Sequence, residues 1–142
     1  MASTQSEIGA LLDSRSEAIG TKDIDRLMSF YSRDIVYFDV VPGLRYTGSG
    51  ALRRRFLEWF DAYKGSIGQE IRELSTLASG NIAVAHMLIR ASGTLKNGHE
   101  VGFWVRATSC FQRSNHGWLI THEHISFPVD LQSGSATMDL VP

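Results

Sequence analysis

The chain has 142 residues, enough for one domain with a real hydrophobic core, and 43% of them are hydrophobic against 20% charged. Fourteen Lys+Arg against fifteen Asp+Glu leave a net charge of −1, so no global field draws it to nucleic acid or an acidic membrane, and neither is expected as a partner. The lone cysteine, Cys110, excludes an internal disulfide framework and a cysteine-based zinc motif and suits a reducing compartment. No apolar run approaches the ~18 residues of a membrane span, and "MASTQSEIGALL" lacks the pattern of a signal peptide, so a cytoplasmic protein is expected.

In chain order, Ile8, Leu11, Leu12, Arg15 and Ile19 follow an i, i+3, i+4, i+7 pattern, which predicts an amphipathic helix over about 5–19, ended by Gly20. A short second helix carries Ile24, Leu27, Met28 and Tyr31 on one face, with Thr21 or Asp23 as its N-cap. "DIVYFDV", 34–40, is rich in β-branched and aromatic residues and is stopped by Pro42-Gly43, so it reads as a strand. After "YTGSG" a third helix places Leu52, Phe56, Trp59, Phe60 and Tyr63 in helical register. Its run Arg53-Arg54-Arg55 fans out around the axis, and Glu58 lies four positions after Arg54, which favours a solvated helix face over a nucleic-acid stripe.

The second half reads as four long strands, separated at Ser79-Gly80, Asn97-Gly98 and Asn115-His116-Gly117. These hairpin signals predict a largely antiparallel sheet. Helices followed by a meander predict an α+β fold with the helices on one face of the sheet, in a single domain with a core of about 5–128. The tail, 129–142, has no clear period and is expected to be loosely ordered or to reach onto a neighbour.

Three positions break the local pattern. Arg15 sits on the apolar stripe of the first helix; it either snorkels to the helix edge or points inward and needs an anionic partner. Asp39 ends an apolar strand before a turn, as a backbone-capping aspartate or as a general acid or base at the mouth of an apolar pocket. The triplet His122-Glu123-His124 is the third. Side chains alternate along a strand, so the histidines share one face and Glu123 takes the other. Alternation gives Leu119, Thr121, Ile125 and Phe127 to the Glu123 face, and Trp118, Ile120 and Ser126 to the histidine face. In the preceding strand Phe103, Val105, Ala107, Ser109 and Phe111 form the apolar set; with a loop of three or five residues around Asn115-His116-Gly117 it lies beside Glu123, and Trp104, Arg106, Thr108 and Cys110 lie beside the histidines.

A zinc site needs three or four ligands. The sequence is not HExxH, the histidine pair supplies two, and a two-residue turn at Asn97-Gly98 would put His86 on the wrong face, so no metal is expected. No nucleophile elbow marks a serine triad. The glycines form turns rather than a phosphate-binding loop, and no cofactor is expected.

"TKDIDRLMSFYSRDIVYFDVVPGLRYTG" resembles a segment of the nuclear transport factor 2-like superfamily, and "FWVRATSCFQRSNHGWLITHEHISFP" resembles the C-terminal hairpin of its SnoaL-like branch. The same ending occurs in the association domain of calcium/calmodulin-dependent protein kinase. The resemblance runs from about residue 5 to 128. It implies a cone-shaped, ketosteroid isomerase-like fold: a curved antiparallel or mixed sheet wrapped with three helices, open at one end as a ligand pocket. It also implies homodimers through the outer sheet face, here Trp104, Arg106, His122 and His124. Relative to ketosteroid isomerase, Asp39 falls where that enzyme has its proton-shuttling aspartate, Arg15 where it has the oxyanion-hole tyrosine, and Ser109 where it has a protonated aspartic acid. Two of three positions differ, so an acidic group in the pocket wall is what carries over.

Together these readings predict a pocket for a small, mainly apolar carbonyl or carboxylate compound. Asp39, Glu123 and Arg15 are the candidate catalytic residues, and Tyr31, Tyr37, Phe56, Met87, Phe103, Ser109 and Phe111 the candidate ligand-binding ones. The alternative is a non-catalytic binding or dimerisation module, with Arg15 and Asp39 as an ion pair.

Overall fold

A computed structural model describes residues 3–142. Helix α1 (Thr4–Gly20) is N-capped by the Ser3 hydroxyl, which accepts from the Ser6 N–H, and α2 (Ile24–Met28) is capped by the Asp23 carboxylate. Strands β1 (Tyr31–Phe38) and β2 (Tyr46–Thr47) precede α3 (Ser49–Asp61), and β3 (Tyr63–Ser79), β4 (Ile82–Leu95), β5 (Glu100–Ser114) and β6 (Gly117–Ser126) follow. The six strands form one sheet in the order β2-β1-β6-β5-β4-β3. Only β1 and β6 run parallel; the other neighbours are antiparallel. The fold is therefore α+β, three helices against a curved mixed sheet. Two tyrosines expected on helices instead open strands: α2 ends at Met28 before Tyr31, and α3 ends at Asp61 before Tyr63.

The curvature has local causes. The β3–β4 pairing shifts register between Lys64 and Gly68 and again between Arg72 and Ser75. Gly65 and Glu73, both with φ near +60°, sit in those irregularities, and bulges of this kind bend and twist a strand. The inward residues Ala83, Ala85, Met87, Ile89, Val105, Ala107 and Phe111 form the concave face on which Ile8, Leu12, Ile19, Leu52, Phe56 and Phe60 of the helices are buried. The Ser66 hydroxyl donates to the Gly20 carbonyl at 2.9 Å and Lys22 Nζ to the Tyr63 carbonyl at 2.6 Å, fixing the end of α1 to β3.

Two loop lengths differ from the sequence reading, and each moves side chains between faces. The β4–β5 turn closes through Leu95 and His99, with Lys96, Asn97 and Gly98 as a three-residue loop. That one extra residue pairs His86 with Thr108 rather than with Ser109, so His86 lies on the outer face with the histidine pair. It is still separated from His124 by the whole of β5, since Thr108 pairs with both. Among the described residues no three His, Cys, Asp or Glu side chains are grouped to hold a metal ion.

The β5–β6 turn, in contrast, has two residues, with Ser114 opposite Gly117. A bulge between Cys110 and Phe111 then changes the parity. Beyond it Trp118 and Ile120 are buried with Phe111, not on the histidine face. Before it, Thr108 and Cys110 pair with His124 and His122, and Ser109 pairs with Glu123. The tail also departs from expectation. Val129 bridges Ala136, and the Thr137 N–H donates to the Pro128 carbonyl at 2.7 Å, so the segment folds back on itself. Among the described residues no helix is long and apolar enough to cross a membrane.

Candidate functional site

The open end of the sheet and the faces of α1 and α3 enclose a cavity of about 530 Å³. Ile89, Ala91, Val105, Ile125, Phe127 and Leu95 line it from the sheet, and Phe56 and Trp59 from α3. Ala136 and Met138 of the folded-back tail complete its wall.

At the cavity wall lies a buried polar network. Arg15 is 2% exposed and Glu123 1%. Arg15 Nη1 donates to Glu123 Oε2, the Ser109 hydroxyl donates to the same oxygen, and the Tyr31 hydroxyl donates to Oε1 at 2.9 Å. The sequence builds this from four elements, α1, β1, β5 and β6. The α1 stripe that buries Leu12 and Ile19 also turns Arg15 inward. The β5–β6 register sets Ser109 against Glu123. The parallel β1–β6 register sets Tyr37 against Glu123, while an irregularity before Val36 lets Tyr31 reach the same carboxylate. Burial works most strongly against the charge of Arg15, but the Glu123 carboxylate together with Tyr31 and Tyr37 outweighs it and holds the guanidinium above its ordinary pKa. Burial first, and Glu123 second, push the Tyr31 and Tyr37 hydroxyls well above the ordinary tyrosine value.

That shift has a measurable consequence. Raised folded-state values leave the stability contribution intact below the unfolded tyrosine value of ~10, and remove it as pH rises above 10 through the folded values. An absorbance titration near the tyrosinate band should therefore show Tyr31 and Tyr37 ionising only together with alkaline unfolding, and their Phe variants should remove that late amplitude. All four tyrosines ionising while the chain stays folded would contradict it.

Nearer the mouth, Asp39 lines the same cavity. Its Oδ1 accepts the Val40 N–H at 2.7 Å and its Oδ2 accepts from Arg55 Nε at 2.9 Å. Their side chains are 10% and 13% exposed, respectively. Arg15, Asp39 and Glu123 thus share one cavity, but Arg15 pairs with Glu123 and not with Asp39. Tyr31, Tyr37, Phe56 and Phe103 also line it. Met87, Ser109 and Phe111 do not: Met87 and Phe111 pack in the core beneath, and Ser109 reaches the cavity only through Glu123.

Arg55 was hidden in the arginine run. Its signal was its position four residues before Trp59, whose ring also lines the wall. Arg53, two residues earlier, binds Asp25 on the surface at 2.6 Å instead. Gln69 and Met138 are further wall residues with no sequence signal, since one lies on a long polar strand and the other in an aperiodic tail.

A model of the SnoaL-like domain matches residues 8–130. The chain belongs to the SnoaL-like family. This SnoaL-like protein is 30% identical to a nuclear transport factor 2-like protein of unknown function from Pseudomonas putida, with 97% of this chain and 96% of that one covered and a TM-score of 0.88. It also shares its fold with a candidate aromatic ring hydroxylase from Novosphingobium aromaticivorans, at 21% identity, 95% and 94% coverage and a TM-score of 0.80. A ketosteroid isomerase-like protein from Erwinia carotovora atroseptica is similar at 19% identity, 89% and 97% coverage and a TM-score of 0.74. No curated protein matches the chain. The SnoaL-like chain is a pocket protein of the nuclear transport factor 2-like superfamily, and its polar network is arranged around that pocket.

Proposed function

We propose that the chain binds a small, mainly apolar carbonyl or carboxylate compound in this cavity and catalyses a proton transfer on it, of the isomerase, cyclase or hydratase kind. The observation that carries this reading is the convergence of Asp39 and the Arg15–Glu123–Tyr31 network on one apolar cavity. Glu123 accepts from three donors and serves to hold Arg15 and Tyr31 in place. Asp39 retains lone pairs beside the opening, where a proton can pass between it and a ligand carbon or oxygen. Tyr37 makes no side-chain hydrogen bond among the described residues and stands between the two carboxylates, placed to donate to a ligand oxygen. Charge developing on that oxygen is stabilised by the Tyr37 hydroxyl.

The test is hydrogen–deuterium exchange at the carbon next to a ketone carbonyl, followed by proton NMR in heavy water. Across a panel of aryl and alicyclic ketones including 2-acetylnaphthalene, the protein should accelerate exchange above the buffer rate for at least one. A panel with neither exchange nor binding removes the reading.

A second role rests on the outer sheet face. Leu77 is 79% exposed and Ile82 51%, and further along the strands Arg72 stacks 5.0 Å over the Trp104 ring. His122 Nδ1 donates to the Val36 carbonyl at 2.6 Å, and its ring and that of His124 pack edge-on against Phe38. We propose that two copies pair through this face, with Trp104, Arg106, His122 and His124 in the contact. Light scattering at pH 7 should show a dimer, lost when Trp104 and Arg106 are both changed to glutamate; a monomeric unmodified chain excludes it.

A further inference from the structure

The charges around the cavity are already spent on one another. Five charged side chains line it: Arg15 and Arg55 against Asp39, Glu58 and Glu123, a formal sum of −1. Arg15 is bound to Glu123 and Arg55 to Asp39. Glu58 is exposed at the rim. The other polar side chains on the wall, Tyr31, Tyr37, Tyr63, Trp59 and Gln69, are uncharged.

We infer that the ligand is a neutral carbonyl compound and that the pocket rejects carboxylates. This deepens the proposed function and rests on it. An entering carboxylate has two ways to find a cation. Taking Arg15 from Glu123 leaves a carboxylate at 1% exposure without its counter-ion. Taking Arg55 from Asp39 strands a second carboxylate in the wall. In either case one buried ion pair replaces another while a third charge is desolvated unpaired, a loss that the new pair does not return. Staying clear of both arginines leaves the ligand charge among like charges in an apolar space. Rejection here comes from a repulsive element built into the wall, not from poor fit. A cation fares no better, since both interior carboxylates are committed and Glu58 is reached only in solvent.

A neutral carbonyl asks for a single donor. The Tyr31 hydroxyl is occupied by Glu123, whereas that of Tyr37 is uncommitted among the described residues. The Phe56 ring packs edge-on to Tyr37, with centroids 5.6 Å apart, which holds the phenol in the wall. Phe103 and Phe127, 5.4 Å apart, supply apolar surface for the body of the ligand.

The experiment compares two probes of matched shape, 2-acetylnaphthalene and 2-naphthoate, by calorimetric titration into the full chain at pH 7. The ketone should bind at least about 10-fold more tightly, and Tyr37→Phe should weaken the ketone about 2- to 10-fold, the range for one neutral hydrogen bond. In Asp39→Asn the freed Arg55 should bring the naphthoate affinity up towards that of the ketone. Equal or tighter naphthoate binding by the unmodified chain overturns the inference while leaving the pocket reading in place. Continued rejection of naphthoate by Asp39→Asn overturns charge compensation as its cause. If neither probe binds, nor any other ketone of the panel, the pocket reading itself falls.

Discussion

Glu123→Ala is expected to lower folding stability by about 3–5 kcal/mol, the cost of stranding a buried charge by removing its partner. Arg15 is 2% exposed and its Nε already lacks a partner, so without Glu123 the guanidinium has no carboxylate within reach. Ser109 and Tyr31 also lose their acceptor. Because the penalty belongs to the stranded charge rather than to the pair's net worth, removing both ions should recover most of it. The double variant Arg15→Met/Glu123→Leu keeps the volume and places apolar groups beside Leu12 and Ile125. Urea unfolding followed by far-ultraviolet dichroism measures all three chains. A loss below about 1 kcal/mol for Glu123→Ala, or a double variant weaker than the single, would show that the ion pair does not hold α1 to the sheet.

The same network shows what a single sequence can and cannot display. Arg15 on an apolar stripe and Glu123 between two outward histidines were each visible as breaks in a periodic pattern, and a break in a buried pattern requires a partner. Which partner was not visible. Asp39 was as plausible a counter-ion for Arg15 as Glu123, and the choice depends on the parallel β1–β6 register, a contact between segments some 90 residues apart. The helices and long strands were readable because their periods are local. Faces were less so, since each depends on loop length to within one residue. The three-residue loop at Lys96-Asn97-Gly98 moved His86 to the outer face, and the bulge between Cys110 and Phe111 moved Trp118 and Ile120 inward. Neither is encoded in the alternation of the strand that it alters. Arg55 was concealed because three consecutive arginines look alike until the helix is oriented by the burial of Leu52, Phe56 and Phe60.

Asp39→Asn should reduce catalysed proton exchange about 10²–10⁴-fold, the usual share of one general acid–base group, with the fold intact. Asparagine preserves the shape and can still accept the Val40 N–H; what it loses is basicity and the ion pair with Arg55. The second loss calls for a control, since a freed Arg55 can swing into the mouth and block the cavity. Arg55→Gln separates the two effects. It also breaks the ion pair but leaves the carboxylate, so it should slow exchange far less than Asp39→Asn does. If both variants slow exchange equally, Asp39 acts by positioning Arg55 and is not the proton carrier. If Asp39→Asn leaves exchange untouched, the proton passes elsewhere. The buried Glu123 is then the remaining carboxylate in contact with a hydroxyl, Tyr31, on the cavity wall. Ketone affinity close to that of the unmodified chain, together with a rate lost by two to four orders of magnitude, is the signature that assigns Asp39 to chemistry rather than to binding.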